Sequence, residues 1–299
     1  MQSEELMLLD TPRTIREAFR QASSFLQEAG VESAEFEAEY LLRRLLQLDR
    51  TSFFVRMPES FPSASFPKLN EWLERRKKQE PIQYIVGDQE FFGRTFHVSP
   101  AVLIPRPETE LLVERVLQEA ECWCQREQIR AVDVGSGSGC ISITLASERP
   151  KWEITAVDLS SDALRMAKYN ADSLEVRDRI QFLQGSFLEP VEGPFDVLVS
   201  NPPYISQSDL LQLESQVKDY EPSLALDGGV DGLAPYRELV SQLSQKKNLP
   251  KRLLVAFEIG ADQGEAVARE VQKLPGFVRV EVEQDFAARD RIVLAWLDR

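Results

Sequence analysis

From about residue 108 to the end, short apolar, β-branched runs alternate with helical segments, and this alternation narrows the possible folds more than any other feature of the chain. Ala131 to Val134, Glu153 to Val157, Ile180 to Leu183, Phe195 to Ser200, Arg252 to Phe257, Val278 to Val282 and Ile292 to Trp296 read as strands. Strands separated by helices are joined by crossovers rather than hairpins. The expected fold class is therefore α/β, a mostly parallel seven-stranded sheet with helices on both faces. In such sheets ligands sit beyond the carboxyl ends of the strands, so chemistry is to be sought in the loops after the first, second and fourth runs.

The leading part reads differently. Thr11-Pro12 reads as a helix start and Gly30 as its stop, with Ile15, Phe19, Ala22, Leu26 and Ala29 at helical spacing between them. Ser33 opens a second helix and residues 68–79 form another, so residues 1–80 are expected to be a small all-α domain. After Pro81 come Tyr84-Ile85-Val86-Gly87-Asp88, Phe91-Phe92-Gly93-Arg94 and Phe96-His97-Val98, aromatic and β-branched runs broken by turn residues. Residues 81–107 are expected to be a β-hairpin linker and 108–299 the α/β domain.

Composition weighs against several function classes. The 299 residues carry a net charge of -14, which disfavours any broad grip on a phosphate backbone, since such binding requires many Lys and Arg contacts. No run of about 18 apolar residues occurs, and the acidic start MQSEELMLLD lacks an export signal, so neither membrane spanning nor export is expected. Cys122, Cys124 and Cys140 lack the spacing of a zinc site or disulfide framework; reduced thiols in the cytoplasm and no bound metal are the expectation. Arg75-Arg76-Lys77-Lys78 and the acidic group Glu28, Glu32, Glu35, Glu37 and Glu39 read as solvated helix faces. His97 reads as structural, and Cys140, at a helix start, as a small packed residue.

The loop after the first strand is Gly135-Ser136-Gly137-Ser138-Gly139, leading into a helix. Glycines let the backbone approach a ligand, and the helix start offers free N–H groups and a positive pole. Asp158, ending the second strand 19 positions beyond Gly139, places a carboxylate where ribose hydroxyls are bound. These two features alone also fit a nicotinamide dinucleotide.

The fourth strand separates the readings, because it runs directly into Asn201-Pro202-Pro203-Tyr204. Two prolines fix φ and remove two N–H donors, leaving carbonyl acceptors for a ligand, and the Asn201 side-chain oxygen adds another. Together they can hold both hydrogens of an NH2 group. The nitrogen of a carboxamide is a poor nucleophile because its lone pair is delocalised. Two acceptors on its N–H bonds localise that pair, and the proton leaves after alkylation, so no strong general base is demanded. Tyr204 offers a ring face for a planar group.

With these residues in place the chain resembles the HemK/PrmC family, the bacterial release factor glutamine methyltransferases. The resemblance extends through Ile104-Pro105-Arg106-Pro107-Glu108-Thr109-Glu110, the Pro222 to Leu233 segment with Gly228-Gly229, Phe257-Glu258-Ile259-Gly260 with Gln263 and Gly264, and Arg289-Asp290-Arg291. It implies a class I, Rossmann-like S-adenosylmethionine-dependent methyltransferase fold behind a helical substrate-recognition domain. The cofactor, S-adenosylmethionine, would lie against Gly135 to Gly139, Asp158 and Asn201. The substrate would be the Gly-Gly-Gln glutamine of a class 1 peptide-chain release factor, with Asn201, Pro202 and Tyr204 in the catalytic role and Pro203 beside them. Phe187 stands where relatives commonly place Trp near the adenine, and Arg106 is expected to border the substrate pocket. A monomer that does not bind nucleic acid directly is expected. Two alternatives share these motifs: a nucleic-acid exocyclic-amine methyltransferase and a non-catalytic subunit that binds S-adenosylmethionine.

Overall fold

The computed structural model describes residues 11–299, which fall into two compact units divided between Gly87 and Asp88. Residues 1–10, on which the expectation about export rests, lie outside the described residues.

The first unit contains α1 (Ile15–Glu28), α2 (Ala34–Leu46), α3 (Arg50–Arg56), α4 (Phe66–Lys77) and α5 (Ile82–Val86). Their apolar stripes meet in one core that includes Ala22, Leu26, Leu41, Phe53, Leu69 and Trp72. The first helix begins later than Thr11-Pro12 signals. Its cap is Thr14, whose hydroxyl accepts from the Glu17 N–H at 3.1 Å. The delay has a tertiary cause: the Phe61 N–H donates to the Arg13 carbonyl and the Ile15 N–H to the Glu59 carbonyl, both at 3.0 Å, so the chain stays extended up to the cap. Two further differences concern short segments. The helix α3 gives too few residues to show a period, and its one local signal is Asp49, which accepts from the Ser52 N–H at 2.9 Å. The run Tyr84-Ile85-Val86, expected to be extended, is helical because Tyr84 and Ile85 donate to the Pro81 carbonyl and Ile85 enters the core.

Part of the expected solvated charge is paired and covered. Arg76 on α4 holds Glu37 on α2 with Nε to Oε2 at 2.5 Å and Nη2 to Oε1 at 3.1 Å, and the two side chains keep only 7% and 14% exposure. Glu39 is likewise buried between Arg43 at 3.2 Å and Arg50 at 3.0 Å, whereas Glu28, Glu32 and Glu35 are exposed as expected. Arg76→Ala strands a covered carboxylate, and we expect it to lower unfolding stability by about 3 kcal/mol in a urea titration. A change below about 1 kcal/mol would restore both residues to a surface role.

The second unit opens with the antiparallel hairpin β1 (Asp88–Phe91) and β2 (Arg94–His97). Next come α6 (Pro107–Cys124), β3 (Arg130–Val134), α7 (Cys140–Glu148), β4 (Glu153–Asp158), α8 (Ser161–Ser173), β5 (Ile180–Gln184) and β6 (Val197–Ser200). A long excursion with two single turns, α9 (Gln207–Leu210) and α10 (Ser215–Lys218), leads to α11 (Ala234–Gln245). The chain then forms β7 (Arg252–Glu258), α12 (Gly264–Val271), β8 (Phe277–Gln284) and β9 (Asp290–Asp298). The seven-stranded sheet has the order β5-β4-β3-β6-β7-β9-β8. Neighbours from β5 to β7 are parallel, and β9 runs antiparallel to β7 and β8.

Alternation along the strands builds a core on each face. Val197, Val199, Leu254, Ala256, Leu294 and Trp296 point to the side covered by α6, α7 and α8. Leu198, Leu253, Val255, Phe257, Val293 and Ala295 point to the side covered by α11 and α12. The order of the strands reverses between β3 and β6, and at such a switch point the following loops diverge and leave a crevice. The His97 main chain is tied to α8, its N–H donating to Asn170 Oδ1 at 2.8 Å and its carbonyl accepting from Asn170 Nδ2 at 3.0 Å, while its ring packs edge-on to Tyr169. Among the described residues no helix is long and apolar enough to cross a membrane.

Candidate active site

The crevice at the switch point is a cavity of about 380 Å³, within the range of roughly 300 to 1,000 Å³ usual for small-molecule sites. Its wall includes Gly135, Ser136, Gly137, Ser138, Asp158, Phe187, Asn201, Pro202 and Pro203. These residues come from the ends of β3, β4 and β6 and the loop after β5, so the sheet gathers most of the sequence-derived candidates into one place.

The glycine loop is anchored before it meets any ligand. The N–H groups of Gly135 and Ser136 donate to the Val157 carbonyl at 2.9 and 3.0 Å, tying the loop to the end of β4. Gly139 caps α7 at φ +83, where a Cβ would lie 2.8 Å from Ile143 Cδ1 and 3.2 Å from Ala167. That glycine is required by packing and by its left-handed backbone, and it is not on the cavity wall. Asp158 Oδ2 accepts from the Gly137 N–H and Oδ1 from the Ser160 N–H, each at 2.8 Å. The carboxylate is thus aimed by its neighbours and still has acceptor capacity on both oxygens. Burial raises its pKa and these backbone donors oppose the rise.

Of the loop residues that line the cavity, Ser136 has a buried Oγ with no hydrogen-bond partner among the described residues, and Ser138 Oγ has at most the weak sulfur of Cys140 beside it. An orphaned polar atom beside a cavity calls for a polar ligand. Phe187 lines the cavity at φ +49, a left-handed backbone that costs an ordinary side chain about 1 kcal/mol. A glycine loop at a helix start, a strand-end carboxylate, an aromatic residue and an unpaired hydroxyl together fit S-adenosylmethionine, a nucleoside with a charged amino-acid tail. Cys140 adds no reactive thiolate, since burial pushes its thiol up to about 12.

Asn201 is held from behind. Its Nδ2 donates to Thr109 Oγ1 at 3.2 Å, and Thr109 donates to Glu258 Oε2 at 2.6 Å. Both Thr109 and Glu258 are buried, and burial pushes Glu258 up to about 7, while Thr109, Arg291 and Asn201 pull it down. Among the described residues neither Asn201 Oδ1 nor the Pro202 carbonyl has a hydrogen-bond donor. Thr109 and Glu258 belong to motifs quoted above, yet sequence reading assigns them no role; their one sequence signal is a carboxylate ending an apolar strand.

Tyr204 departs from expectation. Its half-buried ring packs against the core and is not among the residues lining the cavity, and burial pushes the phenol up to about 12, with the charges of Glu258, Arg291 and Arg106 around it. Its backbone is a fixed point instead: Gln263 Nε2 donates to the Tyr204 carbonyl at 2.9 Å and to the Gly232 carbonyl at 3.2 Å. Gly232, at φ +72, approaches so closely that a Cβ would fall on the Tyr204 carbonyl oxygen. The proline turn is therefore clamped from its far side. Arg106 borders the cavity and pairs with the buried carboxylate of Glu221, which also accepts from the Ile104 N–H at 3.4 Å. This pair fastens the Pro105-Arg106 loop to the wall segment that follows Glu221, including Pro222 and Leu224.

Comparisons with known proteins agree with this architecture. The family described as PrmC N-terminal domain matches residues 17–87, and the methyltransferase small domain matches residues 107–219. A release factor glutamine methyltransferase of Bacillus cereus is 39% identical over 287 residues, covering 95% of this chain and 99% of the relative. One from Bacillus subtilis is 37% identical over 291 residues, covering 96% and 99%. Among solved structures, the hMettl16 catalytic domain in complex with MAT2A 3'UTR hairpin 1 superposes with a TM-score of 0.51 at 18% identity, covering 92% of this chain and 91% of that one. A methyltransferase from Pyrococcus furiosus gives a TM-score of 0.50 at 17% identity, over 69% and 90%. At such identities the structures speak for the class I methyltransferase fold alone, whereas the sequence relatives span nearly the whole chain. A shared sequence over that length, with the two matching domains in the same order, means that this chain belongs to the release factor glutamine methyltransferase family.

Proposed function

We propose that this protein methylates the side-chain amide nitrogen, N5, of the glutamine in the Gly-Gly-Gln motif of class 1 peptide-chain release factors. The observation that carries the reading is the Asn201 side chain, whose NH2 is held by Thr109 while its oxygen and the Pro202 carbonyl are left to accept from a substrate amide. S-adenosylmethionine supplies an electrophilic methyl carbon on a sulfonium. The chain's own residues do the rest. Asp158 and the Gly135 to Ser138 part of the loop would hold the nucleoside, with Phe187 on the same wall. Asn201 Oδ1 and the Pro202 carbonyl take the two N–H bonds, which turns the nitrogen lone pair out of conjugation. Pro203 stiffens the turn that carries them.

Relatives named for release factor methylation support the substrate class, and the net charge of -14 supports a protein partner over nucleic acid. The free cysteines fit a reducing cytoplasm, and the chain is taken to act as a monomer. Labelled methyl transfer to a purified release factor and to its Gly-Gly-Ala variant tests the reading. Label is expected on the parent and at background on the variant. Equal labelling of both would defeat the glutamine assignment, and labelling of RNA or DNA in its place would favour the amino-methylating alternative.

A further inference from the structure

The direction of the hydrogen bonds behind Asn201 carries more than its restraint. An asparagine amide can be turned by half a rotation at almost no steric cost, exchanging its oxygen and its NH2. In one orientation the cavity meets an acceptor, and in the other it meets a donor, which repels the N–H bonds of a substrate amide. Something in the fold has to distinguish the two. Above about pH 7, the value to which burial raises it, Glu258 is an ionised carboxylate that only accepts; 1% exposed at the end of β7, it then obliges Thr109 to donate to it over 2.6 Å. With its one hydrogen committed, the Thr109 hydroxyl has only lone pairs for its other neighbour. That neighbour is Asn201, at 3.2 Å, which must therefore turn its NH2 inward.

From this geometry we infer that Thr109 and Glu258 are positioning residues that set the polarity of the Asn201 amide, so that Oδ1 and not Nδ2 meets the substrate NH2. The inference rests on the role given above to Asn201. The relay joins three separate elements, because Thr109 lies in the first turn of α6, Glu258 ends β7 and Asn201 follows β6. The far side of Glu258 is also fixed: the Tyr236 hydroxyl donates to its backbone carbonyl at 2.8 Å, and the Arg291 charge faces its carboxylate. The arrangement selects a substrate that offers two N–H hydrogens over one that offers a carbonyl or hydroxyl acceptor, and it does so without touching the substrate.

Thr109→Val keeps the shape of the side chain and removes the hydroxyl. With a purified release factor and labelled S-adenosylmethionine, kcat is expected to fall by about a hundredfold, as misplacement of a reacting group does, with KM for both substrates held within about threefold. Thr109→Ser restores the hydroxyl and is expected to return kcat to within about threefold of the parent. Because Thr109 works only through Asn201, adding Thr109→Val to Asn201→Ala should cause no further loss. Calorimetric binding of S-adenosylmethionine, unchanged in the single variants at Thr109 and Glu258, reports an intact fold. Should Thr109→Val fail that control, Glu258→Gln provides the same test, since its amide can donate as well as accept and no longer enforces one direction.

A folded Thr109→Val, or in its place Glu258→Gln, with the parental kcat overturns the inference, as does a serine variant no better than valine or a further loss in the double variant. Those results leave the role of Asn201 standing. Full activity of Asn201→Ala alone would remove that role, and the relay with it.

Discussion

Asn201→Ala is expected to lower kcat by about a thousandfold, the scale of losing one preorganised hydrogen-bonding group aimed at a reacting centre. The substitution removes the acceptor Oδ1 and leaves the Thr109 hydroxyl without its donor. One N–H of the substrate amide then has no acceptor, the lone pair stays delocalised into its carbonyl, and the nitrogen is no longer aimed. Because the loss falls on the reacting state, KM for the release factor should change far less than kcat. S-adenosylmethionine affinity should fall far less than kcat, since Asp158 and the glycine loop are untouched and only the Asn201 edge of the cofactor site is lost. Single-turnover transfer of labelled methyl, alongside calorimetric cofactor binding, checks both parts. Retained turnover would mean that the nitrogen is activated elsewhere.

Asp158→Ala should act on the other half of the reaction. Two hydroxyl bonds to an ionised acceptor, at about 1.5 to 3 kcal/mol each, make a thousandfold rise in the dissociation constant for S-adenosylmethionine a reasonable scale. The carboxylate also anchors the loop through the Gly137 N–H and its own strand end through the Ser160 N–H, so alanine loosens the groups that surround the ligand as well. At saturating cofactor, kcat should recover toward the parent value, the opposite split from Asn201→Ala. Calorimetry and saturation kinetics separate the two patterns, and an unchanged dissociation constant would take Asp158 out of the site.

The two variants also show how far local sequence reaches. Gly135 to Gly139 and Asp158 are legible because each sits at a strand end, where an alternation of apolar runs predicts a ligand crevice. Asn201 to Tyr204 is legible because two prolines in a row after a buried strand give up two backbone donors at once, which suits a turn that presents its carbonyls to a ligand. Tyr204 is legible as a residue and not as a position: its backbone carbonyl is gripped by Gln263 and approached by Gly232, and its ring packs half-buried against the core. In the first unit, Thr11-Pro12 is a sound local start signal that loses to pairing with residues 59–61, and Tyr84 to Val86 is an apolar run too short to show a period.

Spacing, periodicity and turn chemistry act over about a dozen residues, so the order of strands and helices, the ligand loop and the proline turn could be read directly from the chain. Pairings between distant residues could not. Thr109 lies 92 positions from Asn201 and 149 from Glu258, and Arg76 lies 39 from Glu37. Such partners are chosen by sheet order, helix packing and the exclusion of water. A carboxylate buried by that folding must find a donor wherever the packed elements have brought one, and the linear sequence does not record where that will be.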